Sequence, residues 1–185
     1  MPTGKIMVIR HAEKALPGEV ISGVNEAGVP DPNSLSVRGW QRAGALAQLL
    51  APEFIRAPGS VLETPAAIFA TAVTRSKLSL RPQQTVKPLA EKLGIGINTH
   101  YGDGDEALLV AAAQEASEVV LISWRREKIP VIAEQILGKG ATVPQHWPEE
   151  RFDLVWVFLK NQDHWHLEQV PQMLLAGDSI QQIPT

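Results

Sequence analysis

The chain has 185 residues, 44% of them hydrophobic, with 17 Lys and Arg against 20 Asp and Glu, a net of 17 − 20 = −3. That is the length and usage of one ordinary globular domain, without the basic excess of a general nucleic-acid binder. No apolar run approaches the roughly 18 residues that cross a bilayer, and the absence of Cys removes disulfides, thiolate metal sites and Cys nucleophiles together.

The opening stretch turns charged too early for a secretory signal, so the expected address is the cytoplasm, with no membrane and no nucleic-acid partner. In chain order, Lys5 to Ile9 is a short apolar run that predicts a strand buried on both faces. Residues 12 to 35 then carry Pro17, Gly18, Gly23, Gly28, Pro30 and Pro32 without a sustained period, a loop long enough to act as a lid. Ser36 is placed as an N-cap before a helix from Val37 to Leu50, closed by Pro52. Ala67 to Ala70 reads as a second strand. Pro82 opens a helix in which Val86, Leu89, Ala90 and Leu93 recur at helical spacing until Gly94 stops it.

A short strand from Ile95 to Asn98 follows, then a helix from Asp105 to Glu118 and a buried strand from Val119 to Ser123. Next come a helix from Pro130 to Leu137, ended by Gly138, and a strand from Asp153 to Leu159. Strand and helix alternate throughout, which predicts an α/β three-layer sandwich with a mainly parallel central sheet and helices on both faces. Residues 1–185 are expected to form one domain, with residues 178–185 a loose C-terminal tail.

The first strand runs into Arg10-His11-Ala12-Glu13, which puts an Arg and a His at the carboxyl edge of a buried strand, where open α/β sheets gather ligands. Leu35-Ser36-Val37-Arg38-Gly39 opens the first helix, and Arg81-Pro82-Gln83-Gln84-Thr85 opens the second. In this order the three segments resemble landmarks of the histidine phosphatase, or phosphoglycerate mutase-like, superfamily: its Arg-His-Gly-Glu signature, its Leu-Thr-x-x-Gly helix start and its Arg-x-x-Gln-Thr. The resemblance spans residues 5 to 160. It implies that His11 is a nucleophile that takes a phosphoryl group and passes it to water, with Arg10 and Arg81 clamping the phosphate and no metal or other cofactor required. Residue chemistry points the same way. A His attacks phosphorus only with one ring nitrogen unprotonated, neighbouring guanidinium charges disfavour the imidazolium, and Arg forks fit phosphate oxygens bidentately. Arg75, in the loop before Arg81, is an alternative second clamp.

The resemblance breaks at one place. The superfamily keeps a second His just after its next long strand, and here Val119 to Ser123 runs into Trp124-Arg125-Arg126-Glu127. Arg126 stands where a Trp-x-His variant would place that His. Arg supplies charge and donors but releases no proton at accessible pH, so Arg126 or Arg125 substitutes for phosphate binding and not for proton transfer. The leaving oxygen needs a proton, for which the candidate acids are Glu13 and the group Asp103, Asp105 and Glu106. Glu13 has a second expected task, orienting an Arg. The acids after residue 102 have one too, complementing a helix start.

His164 and His166 flank Trp165 at a spacing that shares one strand face, but no third ligand makes a metal site of them. His100 with Tyr101 lies near the acidic stretch, and Trp124 is expected to border the site. Residues 14 to 34 hold one Lys, Lys14, against Glu19, Glu26 and Asp31, so a lightly charged phosphorylated substrate, or phosphate itself, is the expected ligand. The leading expectation is a phosphomonoester hydrolase working through phosphohistidine. A phosphate-binding pseudophosphatase is the alternative, and a nucleotide-binding domain is disfavoured because Gly-x-Gly-x-x-Gly does not follow the first strand.

Overall fold

The structure, a computed structural model, describes residues 4–16, 18, 20, 22–56, 59–162 and 164–185. Pro17 and Glu19 of the first loop therefore lie outside the described residues. The elements are β1 (Lys5–Arg10), α1 (Val37–Leu50), β2 (Ala67–Ala70), α2 (Arg81–Leu93), β3 (Ile97–Asn98), α3 (Glu106–Ala116), β4 (Val119–Trp124), α4 (Ile129–Leu137), β5 (Leu154–Asn161) and β6 (His164–Pro171).

One six-stranded sheet has the order β3-β2-β4-β1-β5-β6. The strands β3, β2, β4 and β1 are parallel, whereas β5 is antiparallel to β1 and β6 to β5. Side chains alternate across β1. Ile6 and Val8 pack with α3 and α4, whereas Met7 and Ile9 pack with α1 and α2. The result is the expected three-layer, mostly parallel α/β sandwich, with an apolar layer on each face of the sheet. Among the described residues, no helix is long and apolar enough to cross a membrane.

Two features differ from the sequence reading. β6 is absent from the run of expected elements, although the spacing of His164 and His166 suits a strand: it lies at the sheet edge, exposed residues alternate with half-buried ones from His164 to Gln169, and no apolar run marks it. Residues 178–185, expected to hang loose, have no regular secondary structure but are tied to the body. Asp178 is bonded to Arg42, Ser179 N–H donates to Asp153 at 2.6 Å, and Ile183 is 4% exposed and held by Gln169. Position at the chain end predicts looseness, and polar contacts to distant residues override it.

Because β5 runs antiparallel to β1, its start lies at the same edge as the end of β1. This brings the 147–153 segment over Arg10 and His11. The ends of β1, β2 and β4 and the starts of α1 and α2 are therefore tied together at one edge of the sheet.

Candidate active site

Arg10 ends β1 opposite Trp124, and the His11 N–H donates to the Trp124 carbonyl at 3.0 Å. The chain beyond His11 is held from two helix starts. Thr85 Oγ1 accepts from Ala12 N–H at 2.8 Å and donates to the Arg81 carbonyl at 2.7 Å. Gln84 bonds both Leu35 N–H at 2.9 Å and Ser34 Oγ at 2.8 Å, and Gln83 donates to the Thr71 carbonyl at 2.9 Å. The Gln-Gln-Thr run is thus a set of braces that fixes three separate loops to the N-terminal turn of α2.

Ser36 does the same from α1. Its hydroxyl accepts from Gly39 N–H at 3.1 Å, capping the helix, while its own N–H donates to the Glu13 carbonyl at 3.0 Å. A Cβ at Gly39 would collide with that carbonyl and stand 3.1 Å from Leu35 Cβ, so only glycine lets α1 approach the segment after His11 this closely.

His11 is 7% exposed, and its Nδ1 lies 2.7 Å from its neighbour's carbonyl, Ala12 O. A carbonyl only accepts, so Nδ1 carries the hydrogen and Nε2 keeps its lone pair. Burial, with help from the charges of Arg10, Arg81 and Lys14, pushes the ring's pKa down to about 3 against the raising effect of the Ala12 bond. The ring is neutral at neutral pH, with its Nε2 electron pair intact.

Arg10 is 2% exposed, and its Nη1 donates to the carbonyls of Pro148, Glu149 and Arg151 at 3.2, 2.6 and 2.8 Å. Its guanidinium carbon lies 3.7 Å from the centre of the Phe152 ring, which also stands 6.2 Å from the His11 ring. Burial and then the nearby Arg126 lower its pKa to about 10. Arg10 Nε is buried without a hydrogen-bond partner among the described residues. Arg81 is held by the Ser34 carbonyl at 3.2 Å, Ser79 Oγ at 3.2 Å and the Pro32 carbonyl at 2.8 Å, and its charge bears on His11. The rival Arg75 is exposed on the loop before it.

Arg126 joins this group. Its Nε donates to Glu127 at 3.0 Å and its Nη2 is 3.7 Å from Glu149 Oε1, which Lys14 also holds at 3.1 Å. The Glu149 carboxyl is lowered first by the Lys14 bond and then by Arg126. Arg125 turns away, pairing with Asp103, which Lys77 approaches at 3.8 Å. Trp124, expected at the border of the site, is instead fully buried in the apolar layer under α3 and α4.

The expected acids divide. Glu13 accepts from Arg42 Nε at 3.0 Å on both oxygens, from Arg42 Nη2 at 2.8 Å, and pairs with Arg38 at 3.3 Å. A carboxylate engaged on both oxygens by a cation has no proton to give, so orientation of an arginine fits Glu13 and proton donation does not. Asp105 Oδ2 accepts from Gly102 N–H at 3.0 Å, and buried Glu106 accepts from Gly104 N–H at 3.1 Å, so both carboxyls bind their own turn before α3. Elsewhere, His100 is bonded to Asn98 at 3.0 Å, and His166 lies 3.6 Å from Glu168 on exposed β6. Among the described residues, no group of three His, Asp or Glu side chains is arranged to hold a metal.

Two parts of this edge were not singled out from sequence. Arg42 sits on the buried face of α1, 2% exposed, and joins Glu13 to Asp178 at 2.7 Å and to Gln172 at 3.0 Å. Burial opposes its charge, yet the bonds to Asp178 and Glu13 win and hold its pKa above the ordinary value. Burial likewise opposes the Asp178 carboxylate, but Arg42 and the N–H groups of Leu175 and Leu174 bring it down to about 2. One signal was available: Arg42 falls three residues after Gly39 and four before Leu46, on the buried stripe of α1. The second part is the Glu149 to Phe152 cover over Arg10, which no local pattern announces.

No protein-family model matches the sequence, and no curated protein sequence matches it. Among solved structures the chain is similar to the protein histidine phosphatase SixA complexed with tungstate, with a TM-score of 0.56 and 16% identity over 91% of this chain and 97% of that one. It is similar to the alpha-ribazole phosphatase from Shigella flexneri, with a TM-score of 0.56 and 13% identity over 89% and 94%. It also resembles a phosphoserine phosphatase mutant from Entamoeba histolytica in complex with phosphoserine, with a TM-score of 0.51 and 13% identity over 88% and 94%. At these identities the shared property is the fold.

Proposed function

We propose that this chain, which has the fold of the histidine phosphatase superfamily, is a phosphatase that hydrolyses small phosphomonoesters through a phosphohistidine at His11. The observation that carries the reading is His11 itself: an imidazole at the carboxyl edge of the sheet, its tautomer set by the Ala12 carbonyl and its charge suppressed first by burial and then by three nearby cations. Solved structures of this fold include proteins described as phosphatases, one with tungstate and one with phosphoserine, so a phosphorylated ligand is the natural guest.

In this reading Nε2 of His11 attacks phosphorus, forming the N–P bond as the P–O bond to the alcohol breaks. The leaving oxygen takes a proton from a carboxyl of the turn before α3, Glu106 or Asp105. Water then attacks phosphorus and returns a proton to that carboxylate as the N–P bond breaks, so that phosphate leaves and His11 regains its lone pair. Arg10, Arg81 and Arg126 neutralise the charge spread over the transferring oxygens, which is the larger part of catalysis in phosphoryl transfer. Arg126 supplies that charge where the superfamily keeps a second His.

The test is a panel of phosphomonoesters with His11→Ala as the blank. Turnover at least about 10³-fold above that variant is expected from loss of a nucleophile, and equal rates would remove His11 from the mechanism. Arg126→His should raise turnover. Unchanged turnover with phosphate affinity intact would place residue 126 away from the transferring group.

A further inference from the structure

A cavity of about 820 Å³ lies beside the His11 edge, between the start of α1, the segment after His11, the 149–153 cover and the 177–179 turn. It adjoins the nucleophile through Phe152, which belongs to its wall and also contacts both Arg10 and His11. A pocket of this size holds a small organic molecule.

The charges in the wall settle what kind. Among the described residues it carries four cations, Lys14, Arg38, Arg42 and Arg151, and five carboxylates. Each cation is already held by a carboxylate of the same wall. Lys14 pairs with Glu149 at 3.1 Å, Arg38 with Glu13 at 3.3 Å, Arg42 with Asp178 at 2.7 Å, and Arg151 with Asp153 at 2.7 Å. A second anionic group on the ligand would have to break one of these pairs and would face the remaining carboxylates. Apolar surface, by contrast, is on offer: Leu16 and Val37 are 62% and 56% exposed, and Phe152 presents its ring.

We infer that this cavity is the chamber for the alcohol part of the substrate, and that it selects phosphomonoesters whose alcohol is uncharged and partly apolar, of aryl type. The inference rests on the phosphatase reading for the reaction, but the chamber's preference is a binding property that can be measured without turnover. Aromatic or alkyl carbon seats against Val37, Leu16 and Phe152, the phosphoryl group lies toward His11, and polyanionic esters are rejected by a wall whose cations are spent on its own carboxylates.

The experiment uses the whole protein and non-hydrolysable phosphonates in titration calorimetry. Benzylphosphonate is expected to bind about tenfold tighter than methylphosphonate, the return on burying one ring face. It should bind about tenfold tighter than 4-carboxybenzylphosphonate, which brings a like charge to the wall. Val37→Asp, at an exposed first-turn position where an acid suits the helix, should bring the benzyl-to-methyl ratio close to one. Equal binding of the three ligands, no binding of any of them at millimolar concentration, or an unchanged ratio in Val37→Asp overturns the inference. These preferences without His11-dependent turnover would sink the phosphatase reading and keep the chamber, whereas turnover without them would do the reverse.

Discussion

Arg42→Met tests whether the tail and the segment after His11 are joined by one guanidinium. The variant keeps the length and apolar stem of the side chain and removes the head that bonds Glu13, Asp178 and Gln172. Asp178, its side chain 3% exposed, then loses its cation, and Glu13, 10% exposed, keeps only the half-exposed Arg38 at 3.3 Å. Removing one partner of a buried pair costs about 3–5 kcal/mol. Asp178 accounts for at most about 2 kcal/mol of this, since its pKa lies at about 2 against an ordinary 3.8 and the Leu174 and Leu175 N–H groups supply part of that shift. In a domain of this size each kcal/mol moves Tm by about 2–4 °C, so a loss of roughly 6–20 °C is expected by calorimetry or circular dichroism.

Because the folded pKa of Asp178 is depressed, its contribution is full above pH 4 and is lost as pH falls through about 2. In Arg42→Met that acid-side loss should shrink, because only the backbone donors remain. Combining Arg42→Met with Asp178→Asn should cost less than the sum of the two single changes, with a coupling of about 1–3 kcal/mol. A Tm loss under about 3 °C in Arg42→Met, or additive single variants, would refute the joint as drawn.

Gly39→Ala and Gly44→Ala form a matched pair on α1. The first drives a Cβ into the Glu13 carbonyl and should destabilise by about 1–3 kcal/mol while lowering kcat, whereas the second meets nothing within 4 Å and should stabilise by up to about 1 kcal/mol. Chemical denaturation of both, with the opposite signs absent, would discard the close approach of α1. The depressed pKa of His11 makes protonation favour the unfolded chain, so stability falls as pH drops from 6.5 toward about 3. His11→Gln should reduce that slope by about 1.4 kcal/mol per pH unit, read from denaturation midpoints between pH 6 and 4. An unchanged slope would mean that the ring is not held neutral.

The two His11-edge helices show how far a sequence reaches. Ser36 is legible because a cap acts within the first turn of the helix it marks, whereas Gly39, Gln84 and Thr85 stand out only through the resemblance, since their contacts reach Glu13, Leu35 and Ala12 far along the chain. The alternation of Ile6 and Val8 against Met7 and Ile9 likewise reveals a strand covered on both faces. β6 escaped because an edge strand needs only half its side chains buried, so its alternation between Trp165 and Gln169 carries little apolar signal.

The order of strands and helices and the placement of Arg10 and His11 at a strand end are set by residues close together in the chain, where periodicity and steric limits operate, whereas the neutrality of His11 rests first on its burial and draws on Arg81 from far along the chain. Long-range pairing lies beyond those limits. Arg42 meets Asp178 across 136 residues, and Arg10 meets the Arg151 carbonyl across 141. A polar side chain specifies only that it needs a partner, and which one it finds depends on how the antiparallel β5 and the tail are folded back onto the edge of the sheet. For that reason the tertiary structure alone shows which arginines Glu13 holds, Arg42 and Arg38, and that Phe152 covers the guanidinium of Arg10. It alone shows, too, that the chamber's cations are already paired.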